Sequence, residues 1–114
     1  LAVFNVMAHN RDDHAKNFSF LMNEFGEWKL SPAYDLTYSN GPGGEQSTMV
    51  MGEGRNITIE HLVKLGLEAK ISKEMIDQII EKTAESLSKW IRLSKDYGVS
   101  KSNIELINRA LIKL

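Results

Sequence analysis

The chain has no cysteine among its 114 residues. Disulfides, thiolate nucleophiles and cysteine-based zinc sites are thereby excluded. It also lacks a charge excess of either sign. Fourteen basic and 15 acidic residues leave a net charge of −1, whereas a dedicated nucleic-acid binder carries a strong basic surplus. Long apolar runs are missing as well. The longest, Leu1 to Ala8, is interrupted by Asn5 and falls far short of the roughly 20 residues a membrane helix needs. No basic flank or small-residue cleavage pattern accompanies it, so it does not read as a secretory signal. A cytoplasmic protein with no membrane partner is expected.

Two phosphate-binding signatures are absent too: neither G-x-x-x-x-G-K-[ST] nor G-x-G-x-x-G occurs. The cluster Gly41-Pro42-Gly43-Gly44 is not followed by Lys-Ser/Thr at a helix start, which favours a plain flexible loop. His9 and His14 lie five residues apart and H-E-x-x-H is missing. A helical transition-metal pair is therefore not expected, and both histidines read as hydrogen-bonding residues.

What is present is the composition of a soluble globular domain, 42% hydrophobic and 25% charged. The length suits one domain, which buries roughly two-thirds of its unfolded surface. The chain opens on Leu1, and Val3, Phe4, Val6 and Met7 follow with no helix cap before them. Natural domains rarely open so, and the sequence reads as a piece of a longer protein.

Two halves emerge, 1–57 and 58–114. Leu1 to His9 is apolar, with Val3, Phe4 and Met7 on one helical face. The polar run Asn10 to His14 breaks it. Asn17 to Met22 predicts a short strand, Asn23 to Glu27 a turn containing Gly26, and Trp28 to Leu30 the returning strand of a hairpin. Pro32 ends the pairing, since proline cannot donate into a ladder. Tyr38 to Gly54 holds Gly41, Pro42, Gly43, Gly44, Gly52 and Gly54. It predicts a mobile loop with a short extended piece at Met49-Val50-Met51. In the second half Thr58 can cap a helix to about Leu67. Ser72 can cap a second running to about Lys95, with Ile76, Ile79, Ile80, Leu87, Trp90 and Ile91 recurring at helical spacing as core. After Gly98, Ser100 can start a last helix carrying Ile104, Ile107 and Leu111. His61 reads as a surface residue, and Lys64, Lys70, Lys73 and Lys82 as a solvated helix face. The expected fold class is α+β, mainly α: a helix, a polar loop, a β-hairpin and a bundle of about three helices.

The chemistry concentrates in Asp12-Asp13-His14-Ala15-Lys16-Asn17-Phe18-Ser19 and Leu30-Ser31-Pro32-Ala33-Tyr34-Asp35-Leu36. An aspartate and an asparagine stand five positions apart before a strand, and another aspartate follows the hairpin. Phosphoryl transfer needs this inventory: one carboxylate to orient the attacking hydroxyl and take its proton, and an amide and a second carboxylate to hold Mg²⁺ against the phosphates. A hairpin runs out and back, so it can return Asp35 to the place where the first loop ended. Asp12 to Asn17 reproduces the D-x-x-x-x-N interval of the kinase catalytic loop, with Arg11 before it. Asn10 stands where that loop has histidine, and Asp35-Leu36-Thr37 departs from D-F-G. Asp12 and Asp13 compete for the role of base, and the interval to Asn17 selects Asp12.

The run D-D-H-A-K-N-F-S-F-L followed by W-K-L-S-P-A-Y-D-L resembles the signature of the HipA-like kinases, the toxin halves of bacterial toxin–antitoxin pairs. The resemblance is strong over Phe4 to Thr37, weakens through the glycine-rich loop and is a general helical similarity after Thr58. It implies the C-terminal lobe of a protein-kinase-like fold, with Asp12 as catalytic base and Asn17 and Asp35 as Mg²⁺ ligands. It further implies nucleotide contacts from His14, Ala15, Lys16, Asn17, Tyr34 and Asp35, with His14 near the phosphates and Tyr34 beside the nucleotide. ATP would be gripped mainly by an N-terminal lobe of the same protein, leaving these 114 residues inactive alone. The acceptor would be a serine or threonine hydroxyl of a protein, with translation-related substrates such as an aminoacyl-tRNA synthetase, and the partner an antitoxin through which DNA is met only indirectly. Two other classes fit the same residues: a non-catalytic lobe used for partner docking, and a Mg²⁺-dependent phosphohydrolase or nucleotidyl transferase.

Overall fold

In the computed structural model, which describes residues 1–114, helix α1 (Ala2–Met7) comes first. It has no side-chain cap. Packing holds it instead: Val6 and Met7 are buried, Met7 completely. A 3₁₀ turn over Ala15–Asn17 leads into strand β1 (Phe20–Met22), which pairs antiparallel with β2 (Trp28–Leu30). Phe20 faces Leu30, Leu21 faces Lys29 and Met22 faces Trp28. The turn between them is built by Asn23, whose Oδ1 accepts from the amides of Phe25 and Glu27, both at 3.0 Å. Gly26 supplies the left-handed residue at φ 80°, which costs glycine nothing. The turn and returning strand are where the sequence predicts them, but the first strand begins at Phe20 and not at Asn17, which belongs to the 3₁₀ turn; every residue of both strands is exposed.

Four helices make the second half: α2 (Ile59–Glu68), α3 (Lys73–Ser88), α4 (Trp90–Asp96) and α5 (Lys101–Ala110). Three start at the expected hydroxyl residues. Ser72 Oγ accepts from the amide of Met75 at 3.2 Å, and Ser100 Oγ from that of Asn103 at 3.4 Å. Ahead of α2 the His61 ring turns back, its Nδ1 accepting from the Thr58 amide at 3.1 Å. His61 is thus half-buried and satisfies a helix-start donor that would otherwise have no intrahelical partner.

The predicted helix from Ser72 to Lys95 is in fact two, broken at Lys89. No glycine or proline marks the break. Three hydroxyls on this stretch bond backward to carbonyls: Thr83 to Ile79, Ser86 to Lys82 and Ser88 to Glu85. Such back-bonding bends helices. Trp90 then anchors the new direction, its indole N–H donating to the carbonyl of Ile104 at 3.2 Å. The break also redistributes the apolar face. Ile76 and Ile80 are buried, whereas Ile79 and Ile91 stay 37% and 41% exposed, so the predicted stripe is only partly core.

The core gathers Val6, Met7, Val50, Leu62, Ile76 and Ile80 around the junction of α1, α2 and α3. Helices α2 and α3 approach so closely at Gly66 that a Cβ there would lie 2.6 Å from Ile76. Val50 enters from the glycine-rich segment, where it exchanges two backbone bonds with Glu53 across Met51 and Gly52, both at positive φ. The predicted extended piece therefore exists as a tight turn. The C-terminal end closes the core, the amide of Ile112 donating to the Met7 carbonyl. No helix is long and apolar enough to cross a membrane.

Candidate active site

The site grows from the end of α1. Helix α1 stops at a left-handed residue, His9, at φ 57°, and Asn10 to Asp13 runs on without regular structure except for one bridge. That bridge is parallel, between Asn10 and Ser39. The amide of Arg11 donates to the Ser39 carbonyl and the amide of Ser39 to the His9 carbonyl. The polar loop is thereby tied to the chain that follows the hairpin. His9 stacks on Tyr38 at 5.4 Å and shares a 3.2 Å contact with Asn40 Oδ1. Partial burial, and then the nearby Arg11 guanidinium, hold its pKa below the usual histidine value; the bond to Asn40 opposes them.

Asn17 and Asp35, 18 residues apart, meet. Asn17 Nδ2 donates to Asp35 Oδ2 at 3.0 Å. The hairpin between them makes this return possible, and Tyr34 fastens it: its hydroxyl donates to the Lys16 carbonyl at 2.7 Å and touches Ser19 Oγ at 2.7 Å. Asn17 is buried and Asp35 exposed, and Asp35 sits at φ 53°. A left-handed non-glycine residue is uncommon and tends to persist where the surroundings over-determine it, often at functional sites. The amide N–H of Asn17 is directed at the Asp35 carboxylate. Turned over, the same amide presents Oδ1, and an amide oxygen beside a carboxylate is a donor pair suited to Mg²⁺, which takes few protein ligands and keeps water and phosphate oxygens.

The two adjacent aspartates separate by environment. Asp13 is buried, and its Oδ1 accepts from the amide of Thr48 at 3.0 Å. The Asp12 carboxylate stays about half exposed, 3.9 Å from the equally exposed His14 ring. That distance is an ion-pair contact and not a hydrogen bond, so the Asp12 oxygens are available to a ligand. Ala15 and Lys16 lie exposed on the 3₁₀ turn. No three His, Asp or Glu side chains gather at one point.

The Asp13–Thr48 contact was not foreseen from the sequence, nor were the buried amides of Asn5, Asn10 and Gln46. Asn10, where the kinase pattern carries histidine, donates through Nδ2 to Asn5 Oδ1 at 3.1 Å, while its own Oδ1 has no partner. These links span up to 36 residues and leave no periodic signal.

Residues 1–91 match the HipA-like C-terminal domain family. The chain belongs to that family. It is also 25% identical over 112 residues to "Putative kinase Y4mE" of Sinorhizobium fredii (strain NBRC 101917 / NGR234), a match covering 90% of this chain and 26% of that protein. The HipA-like chain thus spans about a quarter of the length of its curated relative. No solved structure matches it.

Proposed function

We propose that this HipA-like domain is the catalytic-loop portion, the C-terminal lobe, of a protein serine/threonine kinase. The observation that carries the reading is the 3.0 Å contact between Asn17 and Asp35 across the hairpin, with the carboxylate of Asp12, five residues before Asn17, left half exposed. Family membership and a relative named as a kinase support it.

In the proposed reaction Asp12 accepts the proton of a protein hydroxyl as that oxygen bonds to the γ-phosphorus of ATP. The bond from γ-phosphorus to the β–γ bridging oxygen breaks, and ADP leaves. Asn17 Oδ1 and an Asp35 oxygen would hold Mg²⁺, which offsets charge on the phosphate oxygens. His14, Ala15 and Lys16 would line the phosphate side, and the half-exposed Tyr34 ring would lie along the nucleotide. The rest of the nucleotide grip belongs to an N-terminal lobe, and an antitoxin is the expected regulatory partner in the cytoplasm.

The test is transfer of labelled γ-phosphate by the natural protein that contains this chain. Label should appear on protein, and Asp12→Asn or Asp35→Asn should each lower the rate at least about 100-fold. Label released only as inorganic phosphate would favour a phosphohydrolase instead. Transfer that survives both substitutions would point to a docking module.

A further inference from the structure

Three consecutive residues of the glycine-rich segment lie along the polar loop, and each reaches a different member of it. Gln46, itself buried, donates through Nε2 to the Asn10 carbonyl at 2.7 Å. Ser47 donates twice to the Arg11 carbonyl, from its amide at 3.0 Å and its hydroxyl at 2.9 Å. Thr48 donates twice to Asp13, its amide to Oδ1 at 3.0 Å and its hydroxyl to the Asp13 carbonyl at 2.6 Å. Only Asp12 is passed over. On the opposite edge, Ser39 accepts from the Arg11 amide. Arg11 and Asp13, the residues on either side of Asp12, are therefore both held, while the Asp12 carboxylate itself makes no hydrogen bond. Gly41 lets the segment come this close, since a Cβ there would sit 2.7 Å from Arg11 Cβ and 2.5 Å from the Glu45 carbonyl.

We propose that Gln46, Ser47, Thr48 and the buried Asp13 form a clasp that positions Asp12 for proton acceptance, with Thr48 and Asp13 its principal pair. The inference rests on the kinase reading above and adds positioning residues to it. A catalytic carboxylate on an irregular loop gains nothing from helix or strand rigidity. Its aim must come from such supporting bonds, because a displacement of about 1 Å costs on the order of 100-fold in rate. None of the four clasp residues touches Asn17 or Asp35 in the hydrogen-bond network. The clasp should therefore act on turnover and not on nucleotide binding.

The experiment measures kcat and KM for Mg²⁺-ATP in the natural protein, alongside amide exchange of the segment 9–13. Thr48→Val keeps shape and removes the hydroxyl. It should lower kcat roughly tenfold or more, leave KM within about twofold and speed exchange of segment 9–13. Thr48→Ser should restore most of the rate, and Asp13→Ala should repeat the defect. Unchanged kcat in both Thr48→Val and Asp13→Ala, with Asp12→Asn inactive, would overturn the clasp and leave the kinase reading standing. A rate loss matched by the fraction of protein unfolded would also overturn it. Transfer that persists in Asp12→Asn would instead sink the kinase reading, and the clasp's role with it.

Discussion

Asp12 and Asp13 have identical side chains and nearly opposite fates, 48% side-chain exposure for one and 4% residue exposure for the other. A buried carboxylate persists only when hydrogen bonds replace its water, and the Thr48 amide supplies one to Asp13. What is left to Asp12 is solvent and His14. Two positions beyond this pair can be tested singly. His9 has its pKa held below the usual histidine value by burial and by Arg11. The folded state then binds the His9 proton more weakly than the unfolded state does. The stabilisation is present above about pH 6.5 and declines as pH falls through the range between the unfolded and folded values. Urea midpoints measured from about pH 7.5 down to about pH 5.5 should fall, and His9→Asn, which tolerates the left-handed backbone, should flatten that slope. Gly41 is the second. It combines φ 67° with contacts that a Cβ would violate, so Gly41→Ala should destabilise by about 1–3 kcal/mol. A melting temperature within about 1 °C of the parent would refute that.

At the scale of elements, the legible and illegible parts of the fold divide by range of interaction. The hairpin, the caps at Ser72 and Ser100 and the start of α2 could be read because their causes lie within a few residues: a turn asparagine and glycine, a serine before a helical run. The break at Lys89 could not. Its causes are three serine and threonine hydroxyls that look like ordinary helix surface and a tryptophan whose indole reaches across to α5. The glycine-rich segment misled in the same way. Six glycine and proline residues mark irregular backbone correctly, but they do not reveal that Gln46, Ser47 and Thr48 are anchored or that Val50 is core. Asn17 and Asp35 were legible because a hairpin carries its own rule for where its ends meet. Two substitutions test the helical contacts. Trp90→Phe keeps most of the ring and removes the donor to Ile104, and should cost about 1 kcal/mol in urea unfolding. Gly66→Val places a branched side chain against Ile76 where α2 and α3 touch, and should cost about 1–3 kcal/mol despite better helix packing entropy. A stabilised Gly66→Val protein would mean that the two helices can separate freely there.

For the whole molecule, the decisive feature is the small cavity at Asn17. The cavity that includes Asn17, between Phe18, Ser19 and the Leu30–Ala33 stretch, holds about 80 Å³. Small-molecule sites run from roughly 300 to 1,000 Å³ and cover most of their ligand. The space beside Asn17 is thus far too small to enclose adenine and three phosphates. No phosphate-cradling glycine motif occurs among these 114 residues. Two exposed carboxylates and an amide can attract a hydrated cation, but with little desolvation and few fixed donors they give weak binding. Isothermal calorimetry of the 114-residue chain with Mg²⁺-ATP should accordingly show no saturable heat. The natural protein, if it supplies the remaining wall, should bind measurably, and Asp35→Asn should weaken that binding. A micromolar dissociation constant for the 114 residues alone, about −8 kcal/mol, would mean that they build a nucleotide pocket by themselves. The separation of catalytic loop from nucleotide grip would then have to be given up.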